Sequence, residues 1–157
     1  MTTWQAWSMV TAQFVFIGML ALLPSGGLYP VGAALTVVAG VLVAAGILVA
    51  VLAGARLGGA LTPSPIPNSS GQLATTGLYA LVRHPIYSAL FLASIGLALR
   101  GATLWHVVVL VALIVLISFK ARAEEAMLFD KFDAYGEYAS RVGRFIPGVG
   151  RIPLGGK

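Results

Sequence analysis

Two short clusters in an otherwise apolar chain carry side chains able to do chemistry. The first is Gly77-Leu78-Tyr79-Ala80-Leu81-Val82-Arg83-His84-Pro85-Ile86-Tyr87, where a guanidinium and an imidazole sit between two phenols. The second is Lys120-Ala121-Arg122-Ala123-Glu124-Glu125-Ala126-Met127-Leu128, with two adjacent carboxylates. Brought together, Tyr79, Arg83, His84, Tyr87, Glu124 and Glu125 suit a zwitterionic ligand. A carboxylate meets an ammonium, a guanidinium meets a carboxylate, and aromatic faces meet an onium centre. Neighbouring residues on a helix point about 100° apart, so Glu124 and Glu125 address different partners.

Other chemistries find no footing. The chain has two His and no Cys, and His106 lies beyond Arg100 near the opposite membrane face. No paired-His or HExxH spacing is present, so no metal centre is expected. There is no G-x-G-x-x-G and no P-loop. Ser88 and Ser94 have no acid in their local stretch and no nucleophile elbow, so a triad with His84 is not expected.

The elements that must position the two clusters are membrane helices. Hydrophobic residues make up 59% of the 157 and charged residues 10%, against about 25% charged in a soluble domain. No charged side chain precedes Arg56. Four apolar runs, about 8–23, 31–55, 85–99 and 102–119, read as spans within a single domain. The first is short unless the residues bearing Trp4 and Trp7, placed as an interfacial belt, join its helix. No basic n-region precedes it and Pro24-Ser25-Gly26-Gly27 reads as a turn, so a retained helix is expected rather than a signal peptide. Gly32, Gly40, Gly46 and Gly54 mark the second run as a packing helix. From Arg56 to Thr76, Gly58-Gly59, Pro63, Pro65, Pro67 and Asn68-Ser69-Ser70-Gly71 predict a long structured connection. Arg100-Gly101 predicts a tight turn between the third and fourth runs.

Charge suggests a topology. With four crossings, Arg56, Arg83 and the seven basic residues from Lys120 to Lys157 fall on one side and Arg100 alone on the other. The positive-inside rule then puts both termini and the long connection in the cytoplasm; the expected location is a bacterial plasma membrane. The net charge of +5 rests on few, scattered bases, which suit anionic headgroups and not nucleic acid. The expected fold is all-α: a polytopic bundle of about four transmembrane helices with a cytoplasmic C-terminal helix and tail. Met127, Leu128, Phe132 and Tyr135 recur at helical spacing in that segment. Plainer readings compete there, with Glu124 paired to Lys120 one turn away and the run from Tyr138 to Pro147 as a lipid anchor.

The pattern Gly77-x-Tyr79-x-x-x-Arg83-His84-Pro85-x-Tyr87, an apolar hairpin, Glu124-Glu125-x-x-Leu128, Phe132-x-x-Tyr135-x-x-Tyr138 and Arg144-Phe145-Ile146-Pro147 resembles the integral-membrane methyltransferases. These include the isoprenylcysteine carboxyl methyltransferases and the phospholipid methyltransferases. The resemblance covers about residues 60–147 and departs from the family pattern at Ala89 and Asp133, where Gly is usual. It implies S-adenosylmethionine as cofactor and S-adenosylhomocysteine as product, with methyl transfer to a hydrophobic or lipid-like carboxylate or amine presented from the membrane. It implies cofactor contacts from Tyr79, Val82, Arg83, His84, Pro85, Tyr87, Glu124 and Glu125, and catalytic work from Arg83, His84 and Glu125. Either Glu would bind the methionyl ammonium. Residues 1–59 would form an N-terminal helical pair and residues 60–147 the cofactor-binding region of one domain, with no obligate protein partner. The alternatives are a non-catalytic scaffold or transporter-associated subunit, or a membrane reductase, for which no nicotinamide signature is visible.

Overall fold

The computed structural model describes residues 2–62, 64, 66 and 72–154. Most of the expected breakers in the long connection, Pro63, Pro65, Pro67 and Asn68-Ser69-Ser70-Gly71, lie outside the described residues, as does Lys157.

The fold is all-α. Helix α1 spans Thr3–Leu22, α2 Ala33–Leu57, α3 Pro85–Gly101, α4 Leu104–Lys131 and α5 Tyr135–Arg141. Short 3-10 turns at Gly58–Ala60 and Gly77–Ala80 flank the long connection. By length and composition α1, α2 and α4 can each cross a membrane, whereas α3 is apolar but has only 17 residues. The Trp-bearing residues do join α1. Thr2 and Gln5 form a reciprocal capping box, Gln5 N–H donating to Thr2 Oγ1 and Thr2 N–H to Gln5 Oε1, which satisfies two orphan donors and starts the helix ahead of Trp4. Trp4 and Trp7 are exposed near one end of the bundle and Trp105 is exposed at the start of α4.

Two boundaries differ from the sequence expectation. Arg100 and Gly101 still belong to α3; the turn is made by Ala102, in the left-handed region at φ 47°, and by Thr103, whose hydroxyl caps α4 by accepting from His106 N–H. The charged segment from Lys120 is not a separate helix. It is the last turns of α4, because nothing between Phe119 and Lys131 breaks the backbone ladder.

Helix α2 packs along α3 at backbone distance. A Cβ at Gly46 would fall 2.6 Å from the Ala89 carbonyl oxygen, and one at Gly96 would fall 2.6 Å from that of Ala39. Glycine at these points permits the close approach on which helix association in lipid depends. Ala89, where the family pattern has Gly, is buried on α3. The other face of α2 leaves Val37, Val41, Leu48 and Val51 exposed, as a lipid-facing helix would. Helices α1 and α4 share the core around Leu20, Val109, Leu113 and Ile117.

The two inter-helix turns at the far end are tied together. Gly26 N–H donates to Gly101 O and Leu28 N–H to Ala102 O, both at 2.9 Å, and the Tyr29 hydroxyl donates to Leu99 O at 2.8 Å. All four long helices thus run up and down between the same two ends. The start of α3 and the last turns of α4 meet at the end opposite these turns.

Candidate functional site

The chain from Val82 to His84 is held as an extended strip by the tail. Val82 forms an isolated parallel bridge with Gly143; Arg83 N–H donates to Gly143 O at 2.8 Å and His84 N–H to Arg144 O at 3.1 Å. A Cβ at Gly143 would come within 2.2 Å of Ile146 O, so this pairing requires glycine there. Pro85 then occupies the first position of α3, where its missing N–H costs nothing.

Arg83 is buried, and each of its five guanidinium N–H groups has a partner. Nε and Nη2 donate to Glu125 Oε1 at 2.9 and 2.7 Å, Nη1 donates to the carbonyls of Ala139 (3.2 Å) and Val142, and Nη2 also donates to Gly150 O at 3.0 Å. Five is the full donor inventory of arginine. Glu125 is equally engaged: Arg144 donates from Nε to Oε1 at 3.1 Å and from Nη2 to Oε2 at 2.5 Å, while His84 Nε2 lies 3.2 Å from Oε1. Arg83 and Glu125, expected to act on ligand, are here spent on one another and on the tail.

Glu124 is placed differently. Its side chain is 27% exposed, against 4% for Glu125. The Tyr87 hydroxyl donates to its Oε2 at 2.8 Å, and His84 Nδ1 stands 3.7 Å from the same oxygen. His84 thus sits between the two carboxylates, its ring stacked on Tyr87 with centroids 5.2 Å apart. Phe145 closes over both rings.

These groups border a cavity of about 380 Å³ at the end of the bundle, within the roughly 300–1,000 Å³ of small-molecule sites. Tyr79, Arg83, His84, Pro85, Tyr87 and Glu124 are on its wall, but Glu125 and Val82 are not. Val82 is buried and pairs with the tail through its backbone. The wall also contains groups that the sequence reading had not placed together: Tyr135 and Tyr138 from α5, Lys120 from α4, and Gln13 and Phe14 from α1. Tyr138 donates to Tyr79 O at 2.5 Å; burial pushes its phenol up to about 12, with Arg83 pulling the other way, so it remains a donor. Burial, aided by Glu124, likewise raises the Tyr79 phenol. The Tyr135 hydroxyl is buried with no hydrogen-bond partner among the described residues. An orphaned donor on a cavity wall is a group waiting for a ligand acceptor. Gln13 carried a signal in the sequence, an amide in the middle of an apolar run, and Lys120 was visible as the first cation after one.

An all-α membrane bundle with a mainly apolar cavity, bordered by a few charged side chains, where its helices end defines the class: an integral-membrane protein with a small-molecule site beside the lipid. A model of the phospholipid methyltransferase family matches residues 34–135, well over half of the chain, and the chain belongs to that family. The match begins one residue into α2 and ends at Tyr135. Searches of the curated proteins and of the solved structures found no match. The protein is accordingly an S-adenosylmethionine-dependent methyltransferase acting on a membrane-associated, lipid-like acceptor, which sets aside the scaffold and reductase readings.

Proposed function

We propose that S-adenosylmethionine lies along the cavity wall formed by Tyr79, His84, Pro85, Tyr87 and Glu124, and that the acceptor reaches it from the bilayer beside α1. One observation carries this reading. Glu124 is the carboxylate among the described wall residues; Tyr87 fixes its Oε2, and its Oε1 has no hydrogen-bond partner among the described residues. A carboxylate so oriented, and not neutralised by an arginine, is suited to a ligand ammonium. The residues fit the cofactor in two further ways: the orphaned Tyr135 hydroxyl offers a donor, and the aromatic rings flank a cation with their negative faces.

When bound, S-adenosylmethionine supplies a methyl group on a positively charged sulfur, open to attack by a lone pair. The chain's own residues orient and enclose. Glu124 holds the ammonium, Tyr87 holds Glu124, and Phe145 backs the His84–Tyr87 stack that forms that wall. Arg83 and Glu125 are positioning residues: they pin the tail that carries Arg144 and Phe145 over the site. A carboxylate acceptor needs no base. An amine acceptor must lose a proton, and His84, held between two carboxylates, is the wall group suited to take it.

The same reading includes four crossings, with α3 among them. Its 17 residues rise about 25 Å, close to the roughly 30 Å of hydrocarbon. Both termini and the cavity would then face the cytoplasm of a bacterial cell, with Arg100 outside. Residues 1–59 contribute the helical pair and residues 60–147 the cofactor region of a single domain.

Titration of S-adenosylhomocysteine into the purified protein in nonionic detergent tests the site. Binding that weakens on Glu124→Gln and persists on an exposed control such as Glu137→Gln is expected. No binding by the unaltered protein, or equal binding by Glu124→Gln, overturns it. The chain has no Cys, so single-cysteine labelling at Arg100 and at Glu137 tests the topology; labelling of both from the same side refutes it.

A further inference from the structure

Lys120 is 1% exposed on α4, and its ammonium donates to Gln13 Oε1 on α1 at 2.7 Å. Gln13 is itself buried. The ammonium also stands 5.5 Å above the Tyr87 ring. No carboxylate lies within 4 Å of it among the described residues, and one amide oxygen uses only one of its three N–H donors. A buried cation is ordinarily paired, because removing it from water is costly. Here both Lys120 and Gln13 border the cavity.

Their depth separates them from the Glu124 end. Gln13 is ten residues into α1, about 15 Å along the helix, and Lys120 is four residues, about 6 Å, before Glu124 on α4 towards the bundle interior. Phe14, beside Gln13 and also on the wall, is 58% exposed on the outer surface of α1. The inner end of the cavity therefore combines a cation with spare donors and a side chain that faces the lipid. A donor pair at that depth meets a ligand that enters with its apolar part in the bilayer.

We propose that Lys120, held by Gln13, is the subsite for an oxyanion on the lipid-like acceptor: a carboxylate that is itself methylated, or a phosphodiester next to the methylated atom. This rests on the assignment of the Glu124 end to the cofactor. It makes Lys120 a specificity-determining residue that acts on the acceptor and not on the cofactor.

The test uses purified protein saturated with S-adenosylhomocysteine in nonionic detergent, probed with oleate, oleyl methyl phosphate and uncharged methyl oleate. Tighter binding of at least one anionic probe than of methyl oleate, by about tenfold or more, is expected. That preference should disappear in Lys120→Met, weaken in Gln13→Leu and survive in Lys120→Arg. A preference confined to oleate identifies a carboxylate acceptor, one confined to oleyl methyl phosphate a phosphodiester headgroup, and either supports the subsite. No preference in the unaltered protein, or one that survives Lys120→Met, overturns it. Affinity for S-adenosylhomocysteine should be the same in Lys120→Met as in the unaltered protein; its loss there alone moves Lys120 to the cofactor and also overturns the proposal. Failure of the cofactor assignment is seen separately, as absence of S-adenosylhomocysteine binding by the unaltered protein.

Discussion

Arg83 and Glu125, 42 positions apart, meet through two hydrogen bonds from Nε and Nη2 to a single carboxylate oxygen, with side chains 1% and 4% exposed. Removing one partner from a buried pair of this kind costs about 3–5 kcal/mol, because the other charge stays buried and unpaired. Glu125→Ala, which strands two arginines, should therefore lower the thermal unfolding temperature of the detergent-purified protein sharply. An unfolding temperature within error of the unaltered protein would show that the pair is not structural.

Glu124→Gln should behave in the opposite way. The side chain is partly exposed and holds no arginine, so stability should change little. Affinity for S-adenosylhomocysteine should fall by about 1.5–3 kcal/mol, the value of a hydrogen bond to a charged group, or roughly ten- to hundredfold. Calorimetric titration of the two Glu variants side by side separates these roles.

Tyr135→Phe gives a prediction with two signs. The hydroxyl is buried and unpartnered, so its removal should stabilise the ligand-free protein by about 1 kcal/mol. It should also weaken S-adenosylhomocysteine by about the same amount, roughly fivefold. Unfolding curves with and without ligand check both; a destabilised ligand-free variant would mean the hydroxyl already has a partner.

Gly96→Val should separate α2 from α3. A Cβ there lies 2.6 Å from Ala39 O and 2.9 Å from a Val43 methyl, backbone that cannot give way locally, and overpacking of this sort costs about 1–3 kcal/mol or more. The same change at Gly40, where nothing lies within 4 Å, should be tolerated. Equal unfolding temperatures for the two variants would remove the close-approach account.

The helices and the partnership of the two clusters were legible because they depend on short-range patterns. Apolar runs marked the helices, and charge asymmetry put Arg83 and Glu125 at the same end. The division of labour between Glu124 and Glu125 was not legible. It depends on Arg144, which reaches Glu125 only because glycines at 143, 148 and 150 let the tail fold back; Gly148 and Gly150 both take positive φ. Nor did sequence spacing show that Arg83 would use three of its five donors on carbonyls of residues 139, 142 and 150, since tail conformation has no periodicity to read. Lys120 and Gln13 are 107 positions apart, and no local rule joins them. Helical spacing from Met127 to Tyr135 leaves open whether the charged segment extends the fourth span or stands apart, because a change in polarity alone does not end a helix; α4 runs on through Lys131.

The hydrogen bonds joining Gly26 to Gly101 and Leu28 to Ala102 lie at the end of the bundle remote from the cavity. At the other end Arg83 and Tyr87 fasten the start of α3 to α4 through Glu125 and Glu124. The bundle is thus riveted at both ends, and a lipid tail would meet it between the rivets, beside Gln13 and Phe14 on the cavity wall.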